Sequence, residues 1–275
     1  MKYLNLGCGI YYSTQEEWTN LDFVSSGNKV LRHNLLNGIP FEDNTFDAVY
    51  HSHVLEHFTK EDGEAFTAEC FRVLKPGGVL RIVLPDLEGI MRNYIQSLDN
   101  LAIDPNDEIY KANYEWMLLE MYDQTVRNYG GGNMGKYLFQ KHIKNEDFIF
   151  ARIGEEGRQI RKKYFESRDI SVTENKKFVS KTLIRTLRGK IKGYLLKKLR
   201  ISKVITIGNF RLKGEIHQWM YDRYSLTELL NRFGGESITV TDAYTSSINN
   251  WSTYKLDVIE SGVRKPDSLF IEAIK

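Results

Sequence analysis

Five short apolar runs divide the first 86 residues, and each stops at a glycine or a polar side chain. "KYLNL" alternates and ends at Gly7, "EWTNLD" ends at Asp22, and "KVLRHN" ends near Asn34. "FDAVYHS" is the fourth run, and "GGVLRIVLPD" ends at Asp86. Runs that are apolar along their length and polar at the C-terminal end read as buried parallel strands.

Helices fit between them. "VLEHFTKEDGEAFTAECFRVL" keeps near-helical apolar spacing until "KPGG" stops it, because Pro76 cannot continue a helix. "YSLTELLNRFGG" shows Ser225 with Glu228 three residues on, the spacing of a capping box, and ends at Gly234. "SITVTDAY" and "SLFIEAI" read as two late strands. This alternation predicts an α/β fold, a mostly parallel sheet with helices on both faces. Only 12 residues separate Gly9 from Asp22, which leaves room for an abbreviated helix or a loop.

Residues 90–213 break the alternation. "NDEIYKANYEWMLLEMYDQ" looks helical, "NYGGGNMG" is a loop, and a basic segment follows. The division expected is a sheet domain of residues 1–89 and 214–275, with a mainly helical insertion at 90–213.

A hydrophobic share of 41% and a charged share of 27% are those of a soluble globular chain. No stretch approaches the roughly 18 apolar residues of a membrane span. Too few residues precede Cys8 for a lipoprotein leader, and two cysteines suit free thiols in a reducing compartment, so a cytoplasmic location is expected. The net charge of +2 hides an asymmetry, because Lys176–Lys213 carries 13 Lys or Arg and no Asp or Glu. Such a segment meets something anionic or rests against the acidic remainder.

Open parallel sheets bind ligands beyond the C-terminal ends of their strands. Gly7 and Gly9, around Cys8, stand at that edge, where glycine permits positive φ and a close backbone approach. A dinucleotide fingerprint needs a third glycine where this chain has Tyr12, so a pyrophosphate is disfavoured. S-adenosylmethionine, which lacks phosphate, suits the pattern better. Asp22 would accept from both ribose hydroxyls, and Asn34 with Leu35 would meet the adenine edge.

These stretches resemble class I S-adenosylmethionine-dependent methyltransferases, in particular the bacterial type-11-like branch often linked to surface polysaccharide synthesis. The resemblance rests on "YLNLGCG", "WTNLD", "IPFEDNTFDAVYHSHVLEHF", "RVLKPGGVLRIVLPD", "HQWMYDRYSLTELLNRFG" and "RKPDSLFIEAIK". It implies a Rossmann-like seven-stranded sheet whose last strand is antiparallel, S-adenosylmethionine as cofactor, and in-line methyl transfer. It also implies cofactor contacts at Asn5, Gly7, Cys8, Gly9, Asp22, Asn34, Leu35 and His53. The family usually has an acidic residue in place of Asn5 and commonly an Asp in place of Asn34. Relatives often cover the cofactor with helices ahead of the first strand; here residues 90–213 are the expected lid.

His51, His53 and His57 raise a metal reading, but no cysteine lies near them and the resemblance requires no ion, so no metal is expected. His53, where the chain leaves the sheet, is expected to face the methyl donor or acceptor, whereas His57 caps or packs. Asp86 either orients an acceptor hydroxyl or caps the next helix. In "EIHQWMYDRYS", His217 is a candidate base, and Trp219 and Tyr221 either face a sugar ring or wedge the insertion onto the sheet. His53, Asp86 and His217 are thus the catalytic candidates.

The acceptor expected is a saccharide or glycan intermediate. The apolar stripe within 176–213 would suit an anionic inner-membrane surface or a phosphate-bearing glycan lipid, or would pack on the domain with a solvated basic face. Nucleic acid is not expected, because no recognisable binding module accompanies the patch. A second class stays open. Asn5 and Asn34 also suit a chain that kept the fold and lost turnover, serving as a membrane or partner platform.

Overall fold

The computed structural model describes residues 1–25, 27–173 and 201–275. Seven strands form one sheet: β1 (Tyr3–Leu6), β2 (Trp18–Asp22), β3 (Val30–Arg32), β4 (Phe46–Ser52), β5 (Leu74–Pro85), β6 (Glu236–Thr241) and β9 (Ser268–Ile274). Their order is β3-β2-β1-β4-β5-β9-β6. Strands β1 to β5 pair in parallel, and β9 runs antiparallel to both its neighbours. The late reversal matters for function. It brings the start of β9 beside Pro85, at the edge where the parallel strands end. A two-stranded hairpin, β7 (Val258–Ile259) with β8 (Gly262–Val263), leads into it.

The strand period of two divides the sheet into two faces. Leu4, Leu6, Val49, Leu80, Ile82 and Leu84 face α1 (Lys60–Val73) and α7 (Arg223–Arg232) in the larger core. Tyr3, Ala48, Tyr50, Val79 and Val83 face the other way. Among the described residues, helices cover the first face and a largely irregular stretch covers the second. The second face is covered by the stretch around Ala243, Ile248, Trp251, Tyr254 and Leu256, which holds only a short 3₁₀ turn. Trp18, Tyr50, Trp251 and Tyr254 meet there largely edge to face, so bulky rings fill the space a helix would occupy.

Local signals shift some boundaries. The helix expected from Val54 begins at Lys60, because Thr59 accepts from Asp62 N at 3.1 Å and residues 55–57 form a separate 3₁₀ turn. The capping box of α7 uses Asp222 and Ser225, not Ser225 and Glu228: Asp222 Oδ1 accepts from Ser225 N at 2.8 Å and Ser225 Oγ from Asp222 N at 3.0 Å. Pro76 and its glycines do stop α1, but they lie inside β5, where the pairing with β4 shifts between Phe46 and Ala48. The first crossover, between Leu6 and Trp18, contains no helix.

The middle of the chain builds α2 (Leu87–Ile103), α3 (Glu108–Val126), α4 (Gly132–Leu138) and α5 (Glu146–Thr173), with α6 (Ile201–Arg211) after them. Their apolar side chains form a separate core of Ile90, Trp116, Met117, Leu138, Ile149 and Phe150. Most of the basic segment 176–213 lies outside the described residues. Among the described residues, no helix is long and apolar enough to cross a membrane.

Gly154 joins α5 to the sheet domain. Its φ of +61° interrupts the helix, and a Cβ there would collide with Pro266 Cδ and the carbonyl oxygens of Val263 and Arg264. Glu156 N donates to Arg264 O at 3.2 Å, and Asp267 N donates to Arg152 O at 3.0 Å. The helical part is therefore fixed to the loop that feeds β9, over the C-terminal edge of the sheet.

Candidate functional site

The glycine turn follows directly from β1. Gly7 has φ +61° and Gly9 φ +54°, and a Cβ at Gly7 would collide with Val54 Cγ2. Glycine is required at position 7 to let Val54 pack, which sets the turn beside the end of β4. A Cβ at Gly9 would meet no described atom within 4 Å, so the outer side of the turn is open. Asp22 ends the neighbouring strand; its Oδ2 accepts from Gly9 N at 2.8 Å and its Oδ1 from Val24 N at 2.8 Å. Each oxygen keeps a lone pair for a further donor. Phe23, Val24 and Leu36 leave apolar surface exposed at the ends of β2 and β3, beside this carboxylate. Sequence reading passed over them because a lone exposed apolar residue is ordinary.

Four of the residues expected to meet the cofactor also make contacts within the protein. Asn5 is buried, and its amide donates to Tyr11 O at 3.2 Å and Asn20 Oδ1 at 3.3 Å, so it braces the turn from within. Cys8 is buried, its N donates to Leu21 O at 3.2 Å, and burial pushes its thiol up to about 12. Asn34 caps a 3₁₀ turn, accepting from Leu36 N at 3.1 Å, and Leu35 packs against the main core.

A cavity of about 210 Å³ lies beyond the ends of β4 and β5, roofed by α3, α4 and α5. His53, Pro85, Lys265 and Asp267 line it from the sheet side, and Trp116, Glu120, Arg127, Met134 and Phe139 from the helices. Its size falls below the roughly 300–1,000 Å³ of pockets for drug-sized ligands, so it suits a small acceptor or one end of a larger one. His53 ties the cavity to the glycine turn, because the next residue, Val54, packs on Gly7. Its φ of +56° turns the chain out of the sheet at this point.

Of the three catalytic candidates, only His53 lines the cavity. Its Nε2 is 2.9 Å from Ser268 Oγ and its Nδ1 is 3.1 Å from Glu56 Oε1. Burial, then the nearby Lys265 and Arg264 charges, hold its pKa well below the usual histidine range. A ring so engaged and so weakly basic orients its neighbours better than it takes a proton. Asp86 sits at the start of α2, its carboxylate folded over Gly89, away from the cavity wall. His217 is buried in a different group, described below.

Asp267 was not singled out from the sequence. It ends "RKPD" just before β9, and only the antiparallel course of that strand carries it to the cavity. The residue is part-buried, but Oδ1 is shut off from solvent and has no hydrogen-bond partner among the described residues. Burial, then the nearby Glu120 charge, pushes its carboxyl up to about 7. Glu120 is itself held by Arg152, whose Nε lies 2.8 Å from both carboxylate oxygens.

A second polar group lies behind His53. Glu56 is fully buried, and neither of its oxygens has a hydrogen-bond partner among the described residues. The His53 contact is close but out of line for a hydrogen bond. Burial pushes Glu56 up to about 8 and holds His57 down at about 4. The rings of His57 and His217 meet edge to face with centroids 4.8 Å apart. His51, by contrast, is enclosed in the main core against Phe66, which separates it from His53 and His57.

Strand order, the glycine turn and the carboxylate beside it are those of a Rossmann-like methyltransferase fold. Residues 5–82 match the family model described as a methyltransferase domain. Over 56 residues it is 41% identical to a probable S-adenosylmethionine-dependent methyltransferase of Mycolicibacterium smegmatis. That match spans 20% of this chain and 21% of the length of the relative. Among solved structures, it is similar to a SAM-dependent methyltransferase from Archaeoglobus fulgidus, at 12% identity and a TM-score of 0.38, covering 100% of this chain and 86% of the other. A SAM-dependent methyltransferase from Aquifex aeolicus aligns over 31% of this chain and 57% of its own, at 21% identity and a TM-score of 0.26.

Proposed function

We propose that this chain binds S-adenosylmethionine at the glycine turn and methylates an oxygen of a small acceptor, a saccharide or glycan intermediate, held in the cavity at His53. The observation that carries the reading is the junction at His53–Val54, where one wall of the cavity meets the turn beside Asp22. The residues present fit the cofactor: space beside the Cα of Gly9, a carboxylate with lone pairs to spare, and exposed apolar surface at Phe23 and Leu36 for an adenine face.

When bound, S-adenosylmethionine supplies a sulfonium-activated methyl group and is left as S-adenosylhomocysteine once the methyl has passed to the acceptor oxygen. Positioning then falls to the chain. Asp22 accepts from the ribose hydroxyls. The insertion 90–213 acts as the lid, with α3, α4 and α5 excluding water over the cavity. Asp267, which lines the cavity, accepts the hydroxyl proton, as a carboxylate whose affinity for protons lies near neutrality. Phe139, its other face stacked on Tyr164, offers apolar surface to a sugar, and Lys265 and Arg127 offer donors to its oxygens.

The test is transfer of a labelled methyl group from S-adenosylmethionine to a panel of monosaccharides, nucleotide sugars and lipid-linked saccharides. The expected product is a methyl ether. Transfer confined to amine acceptors, or labelled product undiminished in Asp267→Asn, overturns the assignment.

A further inference from the structure

We propose that Glu56, His57 and His217 form a binding site for one divalent transition-metal ion, of which zinc is the best fit. The site is built by two chain segments 160 residues apart in sequence and held together by backbone. Gln218 N and Trp219 N donate to Glu56 O at 2.7 and 3.3 Å, and Gln218 Nε2 donates to His57 O at 2.7 Å. His57 Nδ1 lies 3.2 Å from Ile216 O. These contacts lock the 3₁₀ turn at Leu55–His57 against residues 216–219 and place the three side chains in one group.

One ligand atom from each of Glu56, His57 and His217 lies within 4.8 Å of the others, and Glu56 Oε1 is 4.0 Å from His57 Nε2. Small side-chain rotations would bring them to the roughly 3.3–3.4 Å that separates ligands on a tetrahedral zinc with bonds of about 2.0–2.1 Å. The group is incomplete as it stands. Both oxygens of Glu56 and Nδ1 of His217 are buried with no hydrogen-bond partner among the described residues. Burying a carboxylate without donors is strongly unfavourable, and an ion that binds all three groups removes that penalty.

The donor set narrows the ion. Two imidazoles and one carboxylate with an open fourth position suit zinc, whereas magnesium and calcium prefer shells of oxygen. The contact from His57 Nδ1 to a backbone carbonyl is the outer-shell contact that turns the opposite nitrogen toward a metal. Sequence reading grouped His57 with His51 and His53 and expected no metal. The partner that changes this, His217, lies beyond the insertion. Metal binding here does not require methyl transfer. If the reading of the previous section also holds, the ion sits next to His53, behind the cavity wall.

The test uses the full chain, stripped with EDTA and titrated with zinc chloride alone against a competing chromophoric chelator, with magnesium chloride as control. One equivalent of zinc is expected to bind and to raise the melting midpoint, and magnesium is not expected to compete. Glu56→Gln and His57→Gln should each weaken zinc binding at least tenfold, while His142→Ala, an exposed histidine away from the group, should leave it unchanged. If a ligand variant fails to fold, the visible spectrum of the cobalt-loaded native chain decides, with tetrahedral nitrogen–oxygen coordination expected. Absence of stoichiometric zinc, equal binding by folded ligand variants, or an octahedral cobalt spectrum overturns the proposal. Loss of methyl transfer with zinc binding intact would count against the function proposed above and leave this site standing.

Discussion

Two buried polar clusters, one on a face of the sheet and one at the ends of its strands, treat their charges differently. On the face covered by aromatic rings, Arg81 donates to Asp257 Oδ2 at 2.8 Å, Glu272 Oε1 at 2.8 Å and the carbonyls of Asp242 and Thr245, with Trp251 against its guanidinium plane. Tyr50 donates to Asp257 Oδ1 at 2.6 Å, and Ser247 N donates to Glu272 Oε2 at 2.8 Å. The register lines up Asn20, Asn5, Tyr50, Arg81 and Glu272 across five strands. At the strand ends, Glu56 and Asp267 keep buried carboxylate oxygens with no partner among the described residues. The first cluster satisfies itself and holds a surface loop to the sheet. The second is left open, as expected where a ligand supplies the missing partners.

Substitutions can break that contrast. The largest stability effect is expected at the closed cluster. Arg81→Met strands Asp257 and Glu272 in the interior and should cost about 3–5 kcal/mol in denaturant unfolding. A loss under 1 kcal/mol would mean that the network is ornamental. Asp267→Asn should do the reverse, lowering the methyl-transfer rate by about 10²–10⁴-fold while the unfolding midpoint holds or rises. If both variants lose stability alike, the two clusters do not differ in purpose.

The pH profile sharpens the same point. With the Asp267 carboxyl at about 7, activity should rise as pH passes through neutrality. The stability contribution has the opposite sign. The unfolded chain releases this proton near pH 4 and the folded chain only near 7, so stability falls across that window and levels above it. Asp267→Asn should remove both trends; an unchanged activity profile would assign the proton to another group. A smaller loss of stability than at Arg81 is expected at the roof. Gly154→Ala forces a side chain into Pro266 and two carbonyls and should cost about 1–3 kcal/mol, with faster proteolysis of α5. Wild-type resistance would mean that α5 is not fixed there.

Much of this was legible in local sequence. The strand ends at Gly7, Asp22 and Asp86, the stop at Pro76 and the late strand before Ile274 depend on patterns within a few residues. What stayed hidden depended on distance or direction. His57 meets His217 across the whole insertion, and Asp267 reaches the cavity because one strand runs backwards. The packing of the second face was not legible either, because rings such as Trp18 and Trp251 meet there from segments far apart in sequence. The cap of α7 moved by one turn because Asp222, placed ahead of Ser225, offers the better acceptor.

Binding of donor beside the glycine turn is the step on which the rest depends, and isothermal titration with S-adenosylhomocysteine measures it directly. The wild-type chain should bind one equivalent, and Asp22→Ala should bind about 10- to 100-fold more weakly with its melting midpoint unchanged. No saturable binding by the wild-type chain, or equal affinity in the variant, would contradict the assignment.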